Sequence, residues 1–519
     1  MSQARPLPTA IQREDRSGSW RQWTERLTRV ASAAGQRYWA GVALAAAAGA
    51  TFFVHLPVLD HYFFGDDFVS LADISLRSTP GYIKDLLLLR DMTPNWRFLT
   101  GLYYLGAYRA FGLNAFPYFL TSVLVHTGTA TLIFWLVRRV VGGVWPAFLA
   151  AAFFGLSAAH VPTVGQVTAF NNVLAGFLMM LALVTLYEGL MRERLLWLLP
   201  ASAVSFAAAI AANDSAAVLA PVFGLAVLWK VSGSDGWWRE GRQWARLALL
   251  SAPYAIIGGA ALLSFWACQC TQASRGDTWG AGDHIVGNVW ILLGRLLYPI
   301  GMEAPGDVGP AHLAGGIVVA ALALAMLLRG PALARVSVAF LALALVPYAP
   351  LHWALAPRYV YMAAIPFSIL AALLFAEAAR YGSRLMPAVP TAVGLVAVGV
   401  LALHGWQSVE QNASFEAETD DWRALVSALE ERYPDLAEGS KVYVRGGPLT
   451  DGIWQFHVLP SVGEVVWGGV VIAAVPEETE EFCDAPGGDV HVLDYDGGVF
   501  TPVPDAPVVH CATPEFPPE

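Results

Sequence analysis

Charged residues are scarce in this chain, and their scarcity excludes a soluble protein. Only 14% of the 519 residues are charged, whereas soluble proteins carry about 25%. Hydrophobic residues make up 56% of the chain, and the mean hydropathy is +0.51. This composition predicts a polytopic membrane protein. The formal net charge of −10 says little by itself, because acidic and basic residues are segregated along the chain.

The motifs of soluble-enzyme chemistry are also missing from the sequence. It has no phosphate-binding glycine loop, no zinc-ligand spacing and no Ser-His-Asp arrangement. No basic face is large enough to neutralise a phosphate backbone, which argues against nucleic-acid binding. Of the four cysteines, Cys483 and Cys511 are a plausible disulfide pair, whereas Cys268 and Cys270 fit no metal framework.

Apolar runs of membrane-spanning length are abundant instead. A helix crosses a hydrocarbon core of about 30 Å with about 20 residues. Eleven spans are predicted, at about 38–58, 116–137, 144–160, 171–190, 195–212, 215–230, 247–268, 312–328, 333–350, 359–380 and 386–404. Two further apolar stretches, Trp96 to Phe111 and Ile285 to Ile300, contain arginine or glycine, and we interpret them as helices lying in the membrane interface.

Basic residues support this count and give the orientation. Seven arginines precede residue 38, and twelve more arginines and lysines follow on the same side, which makes 19 of the 31 basic residues. By the positive-inside rule this side is the cytoplasm. We therefore expect an integral, multi-pass plasma (inner) membrane protein with a cytoplasmic N-terminus, no cleaved signal peptide and an extracytoplasmic tail.

Three domains are predicted from these patterns. Residues 1–37 form a basic cytoplasmic segment, and residues 38–404 form the transmembrane domain, with a first outer loop at 59–115. Residues 405–519 form a small α/β domain, in which a helix runs to Tyr433. Short strand-like runs follow it at 441–444, 465–475 and 490–495, separated by Gly, Pro and acidic turns.

Polar residues collect at the outer ends of the predicted spans. Asp66 and Asp67 stand just beyond the first span, where an ionised pair is costly unless it is hydrated, paired or used. The others are His160, Gln166, Asn171, Asn172, Asn213, Asp214, His352, Arg358, Tyr359 and Tyr361. Ordinary explanations stay open for single members: the acids can belong to a solvated loop, Asn213-Asp214 can cap a helix, and His126 can be a hydrogen-bonded interior residue. Arg358 at a helix start favours an anionic partner such as a phosphate.

Several of these residues lie in motifs that resemble a known family. Gly65-Asp66-Asp67-Phe68, Asn95 to Thr100 and Phe111 to Asn114, leading to Leu124-Val125-His126, are similar to the start of multispanning C-type glycosyltransferases. The O-mannosyltransferase-like branch is the most similar: His160 to Val164 resembles its H-P-x-x-x-E-x-V loop, and Arg358 to Tyr361 its R-Y-L-Y stretch. The matches run in family order over about residues 40 to 380. The chain departs from the family at Gln166, which stands near the loop's acid, at Asn213-Asp214, where Lys-Glu is common, and in lacking tetratricopeptide repeats.

The resemblance implies a C-type fold with juxtamembrane helices in the first outer loop, and transfer of a sugar from a polyprenyl-phosphate donor to an acceptor hydroxyl outside the membrane. It implies that Asp66 and Asp67 are catalytic, and we expect Arg358, Arg97 and Lys84 to hold the donor phosphate. Further cavity candidates are His160, Asn171, Asn213, Asp214, His126, Tyr359 and Tyr361. No cofactor is certain, and a divalent metal on the two aspartates stays open. The alternatives are a flippase for lipid-linked glycans and an inactive scaffold whose tail binds the cell envelope.

Overall fold

The protein is a helical membrane protein with a small α/β region at its C-terminal end. The computed structural model describes residues 17–88 (side chains from 35), 97–232, 240–267, 279–297, 305–352, 355–445, 458–475, 479, 481–484, 488–496, 499–504 and 506–509. The helices are α1 Ser17–Val54, α2 Asp66–Ser75, α3 Thr79–Leu88, α4 Phe98–Phe111, α5 Phe116–Val141, α6 Val144–Gly155, α7 Val161–Val164, α8 Phe170–Arg192, α9 Leu195–Ala212, α10 Ala220–Val231, α11 Gly241–Ala267, α12 His284–Arg295, α13 Pro310–Arg329, α14 Ala332–Leu345, α15 Tyr361–Gly382, α16 Val389–Arg432 and α17 Leu459–Trp467. Short 3₁₀ helices lie at Leu56–Asp60, Ala158–His160, Asp214–Leu219 and Pro357–Val360.

The predicted spans recur as helices, but the predicted count of eleven does not. Within the described residues nine helices are long and apolar enough to cross a membrane, or ten if a bent pair counts as one span. That pair is Val144–Gly155 with Ala158–Val164, bent by 45°. The ninth predicted span, 333–350, is helical only as α14 and falls among the shorter apolar helices. The helix ends at Leu345, because Pro347 has no N–H to donate to the carbonyl of Leu343.

The two stretches interpreted as interfacial are helices too short to span. α4 has 14 residues and α12 has 12. The Thr100 hydroxyl in α4 donates to the carbonyl of Ala212 at 2.9 Å, and the Tyr104 hydroxyl donates to the carbonyl of Val167 at 2.7 Å. Both bonds are buried, so α4 lies across the end of α9 and the loop before α8.

The C-terminal region is an α/β unit built on a four-stranded sheet. The strands are β1 Lys441–Arg445, β2 Val471–Val475, β3 Phe482–Cys483, β4 Val490–Asp496, β5 Val499–Pro502 and β6 Val508–Val509. The sheet order is β2-β1-β4-β5, with β1 parallel to β2 and to β4, and β5 antiparallel to β4. Strands β3 and β6 pair separately in parallel.

One strand prediction in this region is partly wrong. The run from Val465 to Val475 is split between the end of α17 and β2. Leu459, Val462 and Val465 are buried at helical spacing, so this segment buries one face as a helix. Gly468 and Gly469, both with positive φ, end it, because only glycine adopts this backbone conformation without strain.

The tail is joined to the membrane part through one continuous helix. α16 runs for 44 residues, so the predicted domain boundary at 404–405 lies inside it. Cys483 is disulfide-bonded. The other three cysteines, Cys268, Cys270 and Cys511, lie outside the described residues, so the pairing of Cys483 with Cys511 stays a prediction.

Candidate active site

The two aspartates occupy the first turn of α2, which starts at a strained glycine. Gly65 is the residue before the helix and has φ +55° and ψ −126°. A side chain at such a position is strained, so glycine is required for the chain to turn from Phe64 into α2. Carboxylates are favoured in the first helical turn, because the free N–H groups there carry partial positive charge. This local geometry points the two acids in different directions.

Asp67 points inward and is held by the main chain. It is fully buried. Its Oδ1 accepts a hydrogen bond from the amide of Thr168 at 2.7 Å, and its Oδ2 accepts bonds from the amides of Val167 at 3.3 Å and Phe64 at 3.4 Å. Burial raises the pKa of Asp67 to about 7, although the amide bonds oppose this rise. Both oxygens are thus engaged, and the side chain ties α2 to the loop before α8.

Asp66 points outward and faces Arg358. The side chain of Asp66 is 57% exposed, and its Oδ2 lies 3.6 Å from a guanidinium nitrogen of Arg358. Arg358 also donates to Oε1 of Gln166 at 3.0 Å, and its guanidinium lies 5.7 Å from the ring centre of Tyr359. A partly exposed carboxylate and a cation therefore stand side by side at this end of the helix bundle.

A second cation, Arg97, lies at the start of α4. Its Nε is buried and has no hydrogen-bond partner among the described residues. Arg97 is close enough to act electrostatically on Asp214, Tyr104 and Tyr348. The bond from Thr100 to Ala212 explains this closeness, because it fixes the start of α4 beside the Asn213-Asp214 corner. Arg97 thus places a second positive charge at the same end of the bundle.

The asparagine candidates form a hydrogen-bonded chain. Nδ2 of Asn172 donates to Oδ1 of Asn171 at 2.7 Å, and Nδ2 of Asn213 donates to Oδ1 of Asn172 at 3.0 Å. Oδ1 of Asn213 accepts from the amide of Ser215 at 3.1 Å. The capping alternative is therefore confirmed for Asn213, whose amide is used in fixing the turn that carries Asp214.

Aromatic stacking connects this chain to Arg358. The hydroxyl of Tyr348 donates to Oγ of Ser215 at 3.1 Å. Its ring is stacked on Tyr359, with centres 4.6 Å apart and planes 11° apart. The segment that carries Arg358 is thereby braced against the segment that carries Asp214.

The histidine candidates belong to a separate buried cluster. Nδ1 of His126 lies 2.9 Å from the hydroxyl of Tyr361, which confirms the interpretation of His126 as a hydrogen-bonded interior residue. The ring of His160 lies 5.1 Å from that of His126 and 4.8 Å from that of Tyr361, and His55 completes the cluster. His160 and Tyr361 are fully buried, so they do not line an exposed surface beside Asp66.

Lys84 and a metal ion do not fit the site well. Lys84 is exposed on α3, and no contact in the described part of the chain joins it to the carboxylates or to Arg358. Asp67 gives both oxygens to backbone amides, so Asp66 is the only one of the two aspartates with an oxygen left for a divalent cation, which usually takes several oxygen ligands. No group of three His, Cys, Asp or Glu residues suited to a metal occurs within the described residues.

Sequence reasoning missed two parts of this site. The amides of Val167 and Thr168 have no side-chain signature, so no pattern in the sequence could reveal that they hold Asp67. Tyr348 could have been found, because it is a polar aromatic residue at the outer end of a predicted span. Gln166 was expected among the outer polar residues and as a departure from the family's acid, but not as a partner of Arg358, against which the structure places it.

Gly65 provides a test of the local geometry. Gly65→Ala is expected to destabilise the protein by about 1–3 kcal/mol, because alanine at this φ and ψ is strained. Thermal unfolding of the detergent-solubilised protein would measure the loss. Gly106→Ala in α4 is a matched control: a methyl group there meets no atom within 4 Å, and alanine favours the helix. Equal stability of the two variants would contradict the strained conformation of Gly65.

Fold and site together define a polytopic membrane protein with a carboxylate, an arginine and a buried supporting aspartate at one end of its bundle. No protein-family model matches the chain, and no curated protein matches it. Among solved structures it is similar to ArnT from Cupriavidus metallidurans bound to undecaprenyl phosphate, with 15% identity, TM-score 0.46, and coverage of 84% of this chain and 86% of that one. It is also similar to AglB from Archaeoglobus fulgidus, an archaeal oligosaccharyltransferase in complex with an inhibitory peptide and a dolichol-phosphate, with 12% identity, TM-score 0.49, and coverage of 88% and 69%.

Identities below 25% and TM-scores below 0.5 do not assign an activity to this chain. The activity is therefore inferred from the residues of the site.

Proposed function

We propose that the protein is a membrane glycosyltransferase that moves a sugar from a polyprenyl-phosphate donor to an acceptor hydroxyl on the extracytoplasmic face. The observation that carries the proposal is the meeting of Asp66 and Arg358, 3.6 Å apart at one end of the bundle. The pair offers a group that takes a proton beside a group that holds a phosphate. The ordered family motifs in the sequence support the same reaction.

The reaction needs little from the protein beyond positioning and charge. The acceptor oxygen forms a bond to the anomeric carbon as the bond from that carbon to the donor's phosphate oxygen breaks. The electron pair of the broken bond leaves with the polyprenyl phosphate, and the hydroxyl proton passes to a carboxylate. A guanidinium stabilises the charge that builds on the leaving phosphate.

The two carboxylates are suited to different roles. Asp66 is the candidate base, because it is more than half exposed and can reach an acceptor. Asp67 is a positioning residue, because its oxygens are occupied by the amides of Phe64, Val167 and Thr168. In this arrangement Asp67 fixes the turn from which Asp66 projects.

The phosphate is assigned to Arg358, with Arg97 as a second cation. Arg358 is only 24% exposed, and a partly buried guanidinium binds a phosphate more strongly than one in water. When a phosphate binds, it competes with Asp66 for the guanidinium and leaves that carboxylate free to accept a proton. Lys84 contributes at most at longer range.

The orientation follows from the basic residues: we place the N-terminus in the cytoplasm and the site and tail outside. The direct test is transfer by the purified protein in liposomes, with a panel of polyprenyl-phosphate monosaccharides and short acceptor alcohols. Release of polyprenyl phosphate with formation of a glycoside supports the proposal. Movement of the donor lipid across the bilayer without transfer would favour the flippase, and the absence of both would favour the inactive scaffold.

The pH dependence of transfer tests the role of Asp67. Because its pKa is raised to about 7, Asp67 is ionised above this pH and protonated below it. Protonation removes an acceptor from the amide bonds, so kcat is expected to fall as the pH drops through about 7. In Asp67→Asn this acid limb should disappear, and activity should stay near the low-pH level of the wild type. An unchanged acid limb in the variant would contradict the role.

A further inference from the structure

The longest helix of the protein reaches beyond the membrane and contacts the segment that carries the aspartates. At 1.5 Å per residue the 44 residues of α16 extend for about 66 Å, roughly twice the hydrocarbon core. Along its course Oγ of Ser408 donates to the carbonyl of Leu156 at 2.8 Å, and Nδ2 of Asn412 donates to the carbonyl of Val54 at 3.1 Å. The part of α16 after Asn412 therefore stands directly beside the exit of α1.

Two aromatic residues of this outer part pack against the phenylalanines that flank the aspartate pair in the sequence. Phe415 meets Phe64 edge to face with ring centres 4.8 Å apart, and Trp422 lies 5.6 Å from Phe68. Phe68 is fully buried and Trp422 is only 5% exposed. Edge-to-face and tilted pairs of this kind stabilise an interface beyond the area that they bury. α16 thus contacts the residues that come just before and just after Asp66 and Asp67 in the chain.

The chain just before the pair is held by the same helix. The guanidinium of Arg423 lies 5.6 Å from the ring centre of Tyr62 and donates to the carbonyl of Asp60. Phe415 also contacts His61, with ring centres 5.3 Å apart. The segment of residues 60–68 therefore contacts α16 along most of its length.

The tail domain supplies a second contact to the same helix. α17, which belongs to the α/β unit, packs directly against α2. Its buried residues Leu459, Val462 and Val465 also secure it to the unit. α2 is thus held between the outer part of α16 and the α/β unit.

We propose that the outer part of α16 and α17 form a clamp that fixes α2, and that Phe415 and Trp422 are positioning residues for the Asp66–Asp67 pair. This gives the tail a role in the reaction. It rests on the proposed function, because the position of the carboxylates matters only if they act in transfer. Neither aromatic residue touches the substrate in this scheme.

The test compares Trp422→Ala with Trp422→Phe. In Trp422→Ala kcat is expected to fall at least about 10-fold, since small displacements of a catalytic group are costly. The KM for the donor should stay unchanged, because Arg358 and Arg97 lie on other elements. Hydrogen exchange in residues 66–75 should become faster. Trp422→Phe keeps a ring against Phe68 and is expected to restore both readouts.

Trp406→Ala is the matched control, since Trp406 lies on the same helix but is 65% exposed. If Trp422→Ala does not fold, Phe415→Leu replaces it. A folded variant with wild-type kcat and wild-type exchange in α2 would overturn the clamp, and so would a fall in kcat that Trp422→Phe does not rescue. If the wild type transfers no sugar, the proposed function fails, while the exchange measurement still decides whether the clamp holds α2.

Discussion

Replacing Asp66 with asparagine is expected to lower the kcat of sugar transfer by about 10²–10⁴-fold, the usual contribution of a general base. This corresponds to about 3–5 kcal/mol of transition-state stabilisation. Asparagine keeps the size of the side chain but cannot take the proton of the acceptor hydroxyl. Because Asp66 is more than half exposed, the exchange leaves no buried group unpaired, and the protein should fold normally.

The same helix offers a matched control. Asp73 also lies on α2 and is paired with Arg77 at 2.9 Å, away from Arg358. Asp73→Asn should retain nearly full activity. Steady-state transfer assays on both variants in liposomes would make the comparison. If Asp66→Asn and Asp73→Asn were equally active, Asp66 would not be the base.

Much of the membrane architecture could be predicted, because the length of each apolar segment decides whether it can cross a bilayer. A helix such as α8 or α15 must be apolar over its whole length to cross a bilayer, and that pattern is visible in any sequence. The span predicted at 333–350 is not confirmed, because α14 ends at Leu345, two residues before Pro347, with only 14 residues. Such local stops depend on backbone geometry more than on average hydropathy.

The site could be predicted only in outline. Asp66, Asp67 and Arg358 were expected to act together, and the structure brings Asp66 and Arg358 together. The sequence could not show which aspartate is exposed and which is buried, because this depends on which one accepts hydrogen bonds from the amides of Val167 and Thr168. These amides lie about 100 residues further along the chain, and nothing in their side chains marks them.

His160 shows that a motif does not reveal the direction of a side chain. His160 lies in a family-like motif, yet its ring is turned into the buried cluster with His126 and Tyr361. Sequence position placed it at the correct end of a span. His160 lies in a short segment that is bent by 45° from α6, and no periodicity in such a segment predicts the direction of a side chain.

Removing Arg358 should impair donor binding and phosphate departure together. Arg358→Ala is expected to lower kcat/KM for the polyprenyl-phosphate donor by about 10²–10³-fold, as the loss of a preorganised charge at a developing oxyanion does. It also leaves Gln166 without its hydrogen-bond donor at 3.0 Å. Arg358→Lys restores the charge but not the fork of two N–H groups, so it should recover the activity only in part.

Arg380 provides the control for this arginine. It lies at the far end of α15, which begins just after Arg358, and its contact is with Glu377 of its own helix. Arg380→Ala should therefore leave kcat/KM near the wild-type value. The decisive measurement is inhibition by free polyprenyl phosphate. Transfer by Arg358→Ala should be inhibited much less than transfer by the wild type. Equal inhibition of the two would show that the phosphate is held elsewhere, with Arg97 as the next cation to replace.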